Sequence, residues 1–122
     1  MKIGEVAAAT GVSIDTIRFY ERRGVLPPPP RTGSGYRVYT GATVNRIRLA
    51  RRLQGLGLTL GEIASLLRAH DAGRASCETE RWRLAAALER VESKLAELAR
   101  LRADLHTELT ACRAGRCGFI AG

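Results

Sequence analysis

The sequence predicts a mainly α protein, with a winged helix-turn-helix head, a long coiled-coil dimerisation helix and a short cysteine-bearing tail. The first observation is an apolar repeat with a period of seven over residues 81–112. The second is a pair of short helical segments joined through Gly11 and followed by proline-rich and glycine-rich turns. The third is a helix-capping signature at Thr59. We therefore place the head at residues 1–70, a connector at 71–76, the dimerisation helix at 77–112 and the tail at 112–122.

The apolar repeat has two registers that alternate in steps of three and four, as in the seam of a two-stranded coiled coil. Its apolar residues are Leu84, Val91, Leu98 and Leu105 in one register, and Leu88, Leu95 and Leu109 in the other. Arg102 is the one polar break, and no proline or glycine interrupts the segment. The rest of a 122-residue chain is too small to cover this seam, so we expect a second copy to cover it.

The first 24 residues read as two short helices joined by a turn. Residues 3–10 form the first helix with Ile3 and Val6 inward, Gly11 ends it, and Ser13 caps a second helix that runs to Gly24. This is a helix-turn-helix pattern, in which the second helix enters the major groove of DNA. Its predicted outward residues are Ser13, Asp15, Thr16, Arg18, Tyr20 and Arg22.

The next segment predicts a small hairpin, or wing. Prolines 27–30 form a stiff extended connector, and residues 32–35 supply a tight turn. Arg31 and Arg37 flank its tip, where basic side chains suit a DNA backbone. We expect Tyr39, by contrast, to cover the core.

Two further helices complete the predicted head. Thr43 is expected to start the third, with Val44, Ile47, Leu49 and Leu53 partly inward. Its arginines, at positions 46, 48, 51 and 52, can touch phosphate or form a solvated face. Thr59 and Glu62 fit a capping box that opens the fourth helix, whose inward residues are Leu60, Ile63, Leu66 and Leu67.

The charge of the chain is concentrated in the head. Residues 1–70 carry eleven Lys or Arg and four Asp or Glu, so +7 of the net +8 lies there. This asymmetry favours a polyanionic partner. The sequence has no signal-peptide core and no stop-transfer segment, so we expect a cytoplasmic protein with no membrane partner. An odd number of cysteines, three, in a reducing compartment argues for metal or thiol chemistry rather than structural disulfides.

Three stretches resemble the MerR family of bacterial transcription regulators: IGEVAAATGVSIDTIRFYERRGVLPPPPR, GYRVYT and LGLTLGEIASLL. The resemblance implies a homodimer formed through an antiparallel coiled coil. It also implies a promoter operator shared with RNA polymerase, where effector binding changes the distortion of the DNA and switches repression to activation. The groove-reading residues implied are Thr16 and Arg18. The phosphate contacts implied are Tyr20, Arg31, Tyr36 and Arg37.

Two of the three cysteines fall in phase with the seam, and Cys117 lies just past the helix. Cys77 and Cys112 extend the first register and are 35 residues apart, about 50 Å along a straight helix. One chain therefore cannot bring them together. In an antiparallel pair, Cys77 of one subunit meets Cys112 and Cys117 of the other, which gives two equivalent three-thiolate sites. Thiolates without histidine or carboxylate ligands favour a soft ion.

The pattern is similar to the three-cysteine sensors of the family, so we expect mercury(II), Hg(II), as effector, with Cd(II), Pb(II) and Zn(II) as alternatives. Only four residues separate Cys112 and Cys117, a shorter loop than is typical of these sensors. A second hypothesis is a redox or electrophile sensor, in which Cys112 and Cys117 form a reversible disulfide. An enzyme is not expected, because no C-x-x-C motif, catalytic histidine pairing or phosphate-cradling loop is present.

Overall fold

The computed structural model describes residues 1–33, 35 and 37–119. These residues form five helices, and none of them lies in a strand longer than an isolated bridge. The helices are α1 (Ile3–Thr10), α2 (Ile14–Arg22), α3 (Gly41–Gly55), α4 (Leu60–Asp71) and α5 (Cys77–Arg113). The prediction of a mainly α chain ending in one long helix is confirmed. None of the described helices combines the length and the apolar character that crossing a bilayer requires.

The chain divides into two compact units, Met1–Leu84 and Ala85–Gly122. The first unit has a core to which each of its first four helices contributes. Its largest fully buried side chains are Ile17, Ile47, Ile63, Leu67, Val6 and Val25. In the second unit, the described residues are the remainder of α5 and the tail that follows it as far as residue 119.

The helix-turn-helix is built from local capping signals. Gly11 has a φ of 73°, and its backbone N–H donates to the carbonyl of Ala7 (2.9 Å), which ends α1. Ser13 then caps α2, because its Oγ accepts the backbone N–H of Thr16 (3.1 Å). The end of α1 and the start of α2 match the predicted positions, and Val6 is buried as expected.

Helix α3 begins earlier than its sequence predicts. Thr40, in an extended conformation, is the N-cap, so the helix starts at Gly41 and Thr43 lies within its first turn. The predicted start at Thr43 is therefore wrong. Ala50 is fully buried where Leu49, which is 37% exposed, had been expected to face inward. The small alanine side chain allows neighbouring helices to approach closely.

Helix α4 has the predicted capping box. The backbone N–H of Thr59 donates to Glu62 Oε1 (3.0 Å), and the N–H of Glu62 donates to Thr59 Oγ1 (3.2 Å). Ile63 and Leu67 are buried as predicted. The other two predicted inward residues, Leu60 and Leu66, are only half-buried.

The described residues of the wing contain one isolated bridge and no strand longer than that. One antiparallel bridge joins Arg31 and Arg37, and the N–H of Gly35 donates to the carbonyl of Thr32 (2.9 Å) in the turn between them. Beyond the bridge, Tyr39 exchanges two hydrogen bonds with the chain start, at 2.7 and 2.9 Å from Met1. Tyr36, a predicted phosphate contact, lies outside the described residues.

Arg46 holds three parts of the head together. Its Nε donates to the carbonyl of Val25 (2.7 Å), and its two Nη atoms donate to the carboxylate of Asp71 (2.7 and 2.9 Å). Such a two-pronged pair has the favoured geometry for an arginine and a carboxylate. Arg48 likewise donates to the carbonyl of Ala9, near the end of α1 (3.0 Å). Arg46 therefore serves the fold, which corrects its expected role, whereas Arg48 adds one contact to the fold and stays exposed.

Tyr20 joins α2 to α3. Its side chain is only 3% exposed, and its hydroxyl donates to Gln54 Oε1 (2.5 Å). The outward position predicted for Tyr20 is therefore wrong, because its ring completes the core. Burial raises the pKa of this tyrosine, against the opposing effect of the nearby Arg51 cation.

The Arg46–Asp71 pair should make the stability of the head depend on pH in the acidic range. Hydrogen bonds from Arg46 lower the pKa of Asp71, so the pair stabilises the fold above the ordinary carboxyl pKa and loses this contribution as pH falls through the lowered value. Because Asp71 is half-exposed, we expect a contribution of roughly 0.5–1 kcal/mol. Asp71→Asn should remove it at neutral pH and flatten the acid limb of the unfolding free energy. Asp104→Asn, at an exposed carboxylate of α5, is the matched control. An unchanged acid limb in Asp71→Asn would contradict the assignment.

Tyr20→Phe should lower the free energy of unfolding by about 1 kcal/mol, the usual size for one neutral hydrogen bond. The buried ring is kept, and only the donor to Gln54 is lost. Denaturant unfolding of Tyr20→Phe, Gln54→Ala and the double variant measures the coupling between the two side chains. Strictly additive effects would show that the hydroxyl and Gln54 do not act together.

Candidate nucleic-acid interface and metal centre

The exposed face of α2 begins with a fixed hydroxyl pair. Ser13 Oγ and Thr16 Oγ1 lie 2.9 Å apart, so the N-cap that starts the helix also orients Thr16, the first predicted groove-reading residue. Arg18, the second, is exposed one half-turn further along. Arg18 forms no ion pair with any residue in the described part of the chain, so its guanidinium is available to a ligand.

Three cations surround one cleft between α2 and the wing. The cleft has a volume of about 350 Å³ and is lined by Arg18, Glu21, Arg22, Pro28 and Arg37. Three guanidinium groups against one carboxylate leave the cleft positive, as a phosphate backbone requires.

The two predicted wing arginines are held by different partners. Arg31 Nη1 donates to the carbonyl of Gly35 (3.1 Å), which tightens the turn. Arg37 Nη1 donates to Glu21 Oε2 (2.7 Å), which ties the wing to α2. Arg37 remains 39% exposed, whereas Glu21 is 10% exposed. Both arginines therefore sit at the surface with part of each guanidinium still open to solvent.

Glu21 is a functional candidate that the sequence analysis missed. Its second oxygen accepts the hydroxyl of Tyr39 (2.7 Å), so one carboxylate binds two wing residues. Tyr39 is buried, as predicted, and burial together with the hydrogen bond to Glu21 raises its pKa. The pKa of Arg37 is also raised, by its interactions with Tyr39 and Glu21. The partners are 16 and 18 residues from Glu21, and no local pattern marks so distant a pair.

A second concave surface lies where the turn of the helix-turn-helix meets the end of α3. It has a volume of about 610 Å³, and its polar lining includes Thr16, Arg51 and Gln54. Of the four arginines predicted on α3, Arg51 thus faces the same side of the head as α2.

The three cysteines lie at the two ends of α5. Cys77 is the first residue of α5, Cys112 lies in its last turn, and Cys117 follows the helix. The first two are exposed, the third is half-buried, and none is in a disulfide. Within the described part of a single chain, no three His, Cys, Asp or Glu side chains cluster closely enough to hold a metal ion.

A capping box fixes Cys77 at the start of α5. The N–H of Thr79 donates to Ser76 Oγ (3.1 Å), and the N–H of Ser76 donates to Thr79 Oγ1 (3.0 Å). Arg81 Nε adds a hydrogen bond to the carbonyl of Cys77 (3.2 Å). The thiol therefore stands on an ordered turn at the start of the helix.

The apolar seam of α5 is uncovered in the single chain. All seven apolar residues of its two registers are between 46% and 68% exposed. Contiguous apolar surface of this extent marks an interaction site. The heptad spacing of the exposed residues indicates that the missing partner is another helix.

Two family descriptions match the chain. "MerR HTH family regulatory protein" matches residues 1–70, and "MerR, DNA binding" matches residues 44–107. The first therefore covers the whole helix-turn-helix and wing, and the second extends through most of α5.

Curated relatives match over most of their length. The mercuric resistance operon regulatory protein of Pseudomonas fluorescens is 40% identical over 125 residues, which cover 99% of this chain and 85% of that protein. The protein of the same description from Bacillus cereus is 41% identical over 100 residues, with 82% and 76% covered. These relatives are transcription regulators rather than enzymes.

A solved structure shares the fold throughout. The transcription regulator PbrR691 from Ralstonia metallidurans CH34, crystallised in complex with lead(II), superposes with a TM-score of 0.82 and 31% identity, over 91% of this chain and 87% of that one. The helix-turn-helix with its cationic cleft, the long uncovered helix and these matches agree. The chain belongs to the MerR family of DNA-binding transcription regulators.

Proposed function

We propose that the protein is a metal-responsive regulator that binds a promoter operator as a homodimer and switches repression to activation when a soft metal ion, Hg(II), binds. The switch acts by distorting the DNA on which RNA polymerase sits, in the cytoplasm. The observation that carries the proposal is the placement of three cysteines at the two ends of an exposed heptad seam.

The exposed seam supports the dimer. Burying the exposed half of a leucine is worth roughly 1 kcal/mol. Each further layer of the seam adds this free energy for both copies of the chain. Dimerisation loses translational and rotational freedom only once. The seven apolar seam residues of each chain therefore have a lower free energy when they are buried in a dimer than when they are exposed to water.

An antiparallel pairing can cover most of the seam. Antiparallel pairs place residues of one register opposite residues of the other. In one alignment, Leu84 faces Leu109 of the partner subunit, Leu88 faces Leu105 of the partner subunit, and Leu95 faces Leu98 of the partner subunit, whereas Val91 faces Arg102 of the partner subunit. The same alignment sets Cys77 level with position 116 of the partner, between its Cys112 and Cys117. This alignment of the seam is therefore compatible with the three-thiolate site.

The ligand chemistry supports a soft ion. Three thiolates bind large polarisable cations in preference to oxygen-seeking ones. The mercuric resistance regulators among the relatives favour Hg(II), and the lead(II) complex of the solved neighbour keeps Pb(II) open, with Cd(II) and Zn(II) as further alternatives. Cys77, Cys112 and Cys117 are the proposed ligands.

The DNA contacts are proposed from the cleft and the face of α2. Thr16 and Arg18 read base edges in the major groove. Arg31, Tyr36 and Arg37 hold phosphates from the wing. The phosphate contact of Tyr20 uses a hydroxyl that is shared with Gln54, so it is the weakest of the set.

Anaerobic titration of the reduced dimer tests the metal site. Thiolate-to-metal charge-transfer absorption should saturate at one Hg(II) per subunit, and competition with Cd(II), Pb(II) and Zn(II) gives the ranking. Replacing all three cysteines by serine should abolish both the absorption and metal-dependent transcription from the promoter. A metal response that survives this replacement would overturn the proposal. An oxidant response with no metal binding would instead favour the redox sensor.

Mixed dimers test whether the site is shared. A dimer of one Cys77→Ser subunit and one Cys112→Ser subunit should retain one intact site and lose the other, so it should bind half the Hg(II) of the wild-type dimer at high affinity. Each homodimeric variant should lose both sites. If the ligands came from one chain, the mixed dimer would have no intact site.

Arg18 and Arg37 should differ in how they affect DNA binding. Arg18→Ala should weaken operator binding by roughly 1–3 kcal/mol and relax base preference at one position. Arg37→Ala should weaken binding to all duplexes, scrambled ones included, without changing which base is preferred at any one position, and should reduce the slope of log affinity against log salt by about one. Affinity measured on operator and scrambled duplexes over a range of salt distinguishes the two. Equal effects of both variants on base preference would contradict the assigned roles.

A further inference from the structure

We propose that Glu21 is a positioning residue for DNA recognition, which sets specificity by holding Arg37 in place beside α2. This inference rests on the proposed phosphate contact of Arg37. It assigns a role to an acidic residue at a surface that binds a polyanion, where a negative charge by itself lowers affinity.

The geometry carries the assignment. The two carboxylate oxygens of Glu21 are each engaged, one by Arg37 Nη1 and the other by the hydroxyl of Tyr39, both at 2.7 Å. Tyr39 is buried and is itself paired through its backbone with Met1, so it forms a fixed support. Both oxygens of Glu21 are thus engaged by wing residues, and Arg37 is held against a supported carboxylate.

The exposures show which side faces the ligand. Glu21 is 10% exposed and Arg37 is 39% exposed, so the carboxylate lies behind the guanidinium. An arginine side chain has five N–H donors in a planar fork. Engaging one edge of the fork with Glu21 leaves another edge for a phosphate. The cleft beside it already contains Arg18 and Arg22, so the held arginine completes a cationic wall.

A held arginine affects specific and non-specific binding in opposite ways. Holding Arg37 in one position fixes the register of the wing on the DNA, which helps only the duplex whose bases then match α2. The negative charge of Glu21 weakens attraction to every duplex. Specificity therefore increases at the expense of general affinity.

Glu21→Gln should separate these effects. The neutral amide has one acceptor oxygen in place of two, so it cannot accept from both Tyr39 and Arg37 through separate oxygens, and its pairing with Arg37 loses the carboxylate charge, which weakens the hold on the arginine. Affinity for a scrambled duplex should rise and its salt slope should steepen by about one. Affinity for the operator, selected from random duplexes by the wild-type protein, should fall, so that the ratio of operator to scrambled affinity drops by about tenfold.

Two controls define the comparison. Asp15→Asn removes the same charge from the same helix, where Asp15 is exposed in the first turn of α2, so it should raise both affinities by the same factor. Glu21→Gln in an Arg37→Ala background should leave the ratio unchanged, because Glu21 acts through Arg37. Thermal unfolding of each variant shows whether the head remains folded.

Arg37→Lys provides a second variant that leaves Glu21 and the core intact. Lysine keeps the charge but lacks the planar fork that reaches Glu21 and phosphate together. The ratio should fall while the salt slope stays as in the wild type. The proposal is overturned if Glu21→Gln lowers both affinities in proportion, or if it lowers the ratio equally without Arg37. Either result can occur while Arg18→Ala still weakens operator binding, so failure of this inference is distinguishable from failure of DNA binding itself.

Discussion

The uncovered apolar seam of α5 is the constraint on which the rest of the molecule depends. A helix with side chains about half-exposed along two registers is stable only when another helix covers them. The layers that satisfy this requirement also decide which residues of two chains become neighbours. In the proposed dimer, hydrophobic packing therefore sets the relative positions of the thiols, and no further contact is needed to bring them together.

In the head, the main constraint is which arginines bond to other parts of the fold and which remain available to bind a ligand. Arg46 and Arg48 are committed to Asp71 and to carbonyl oxygens, so they stabilise the packing of the helices. Arg18 has no such partner among the residues that the structure describes, and Arg37 is shared between Glu21 and solvent. The net charge of residues 1–70 consequently overstates the number of phosphate contacts, because a guanidinium that is already paired has less to gain from a phosphate.

The sequence predicted the features that depend on neighbouring residues. Ser13 and Thr59 cap helices through hydrogen bonds that span three residues, and these pairs are visible in the order of the chain. The features it did not predict depend on distant residues: Asp71 lies 25 positions from Arg46, and Glu21 lies 16 from Arg37. Tyr20 is one such case. A tyrosine suits either a solvent-exposed or a buried position, and only the packing of α2 against α3 determines which of the two it takes. The positions of Cys77 and Cys112 on the seam could be predicted because the period of a helix places residues many turns apart on the same face.

The proposed three-thiolate site between subunits would also account for how a small ion affects DNA. Cys77 is the residue at which the connector after α4 becomes the long helix, and the reciprocal cap of Ser76 and Thr79 makes that junction stiff. In the proposed dimer, a metal ion ties this junction to the tail of the partner, at both ends of the coil. A ligand can shift a conformational equilibrium only through a difference in affinity between the states. In the proposed site that difference would come from the third thiolate, since the two cysteines of one tail are close together whatever the position of the heads. The metal would then stabilise the arrangement that brings Cys77 into reach, at the residue where the connector after α4 joins α5.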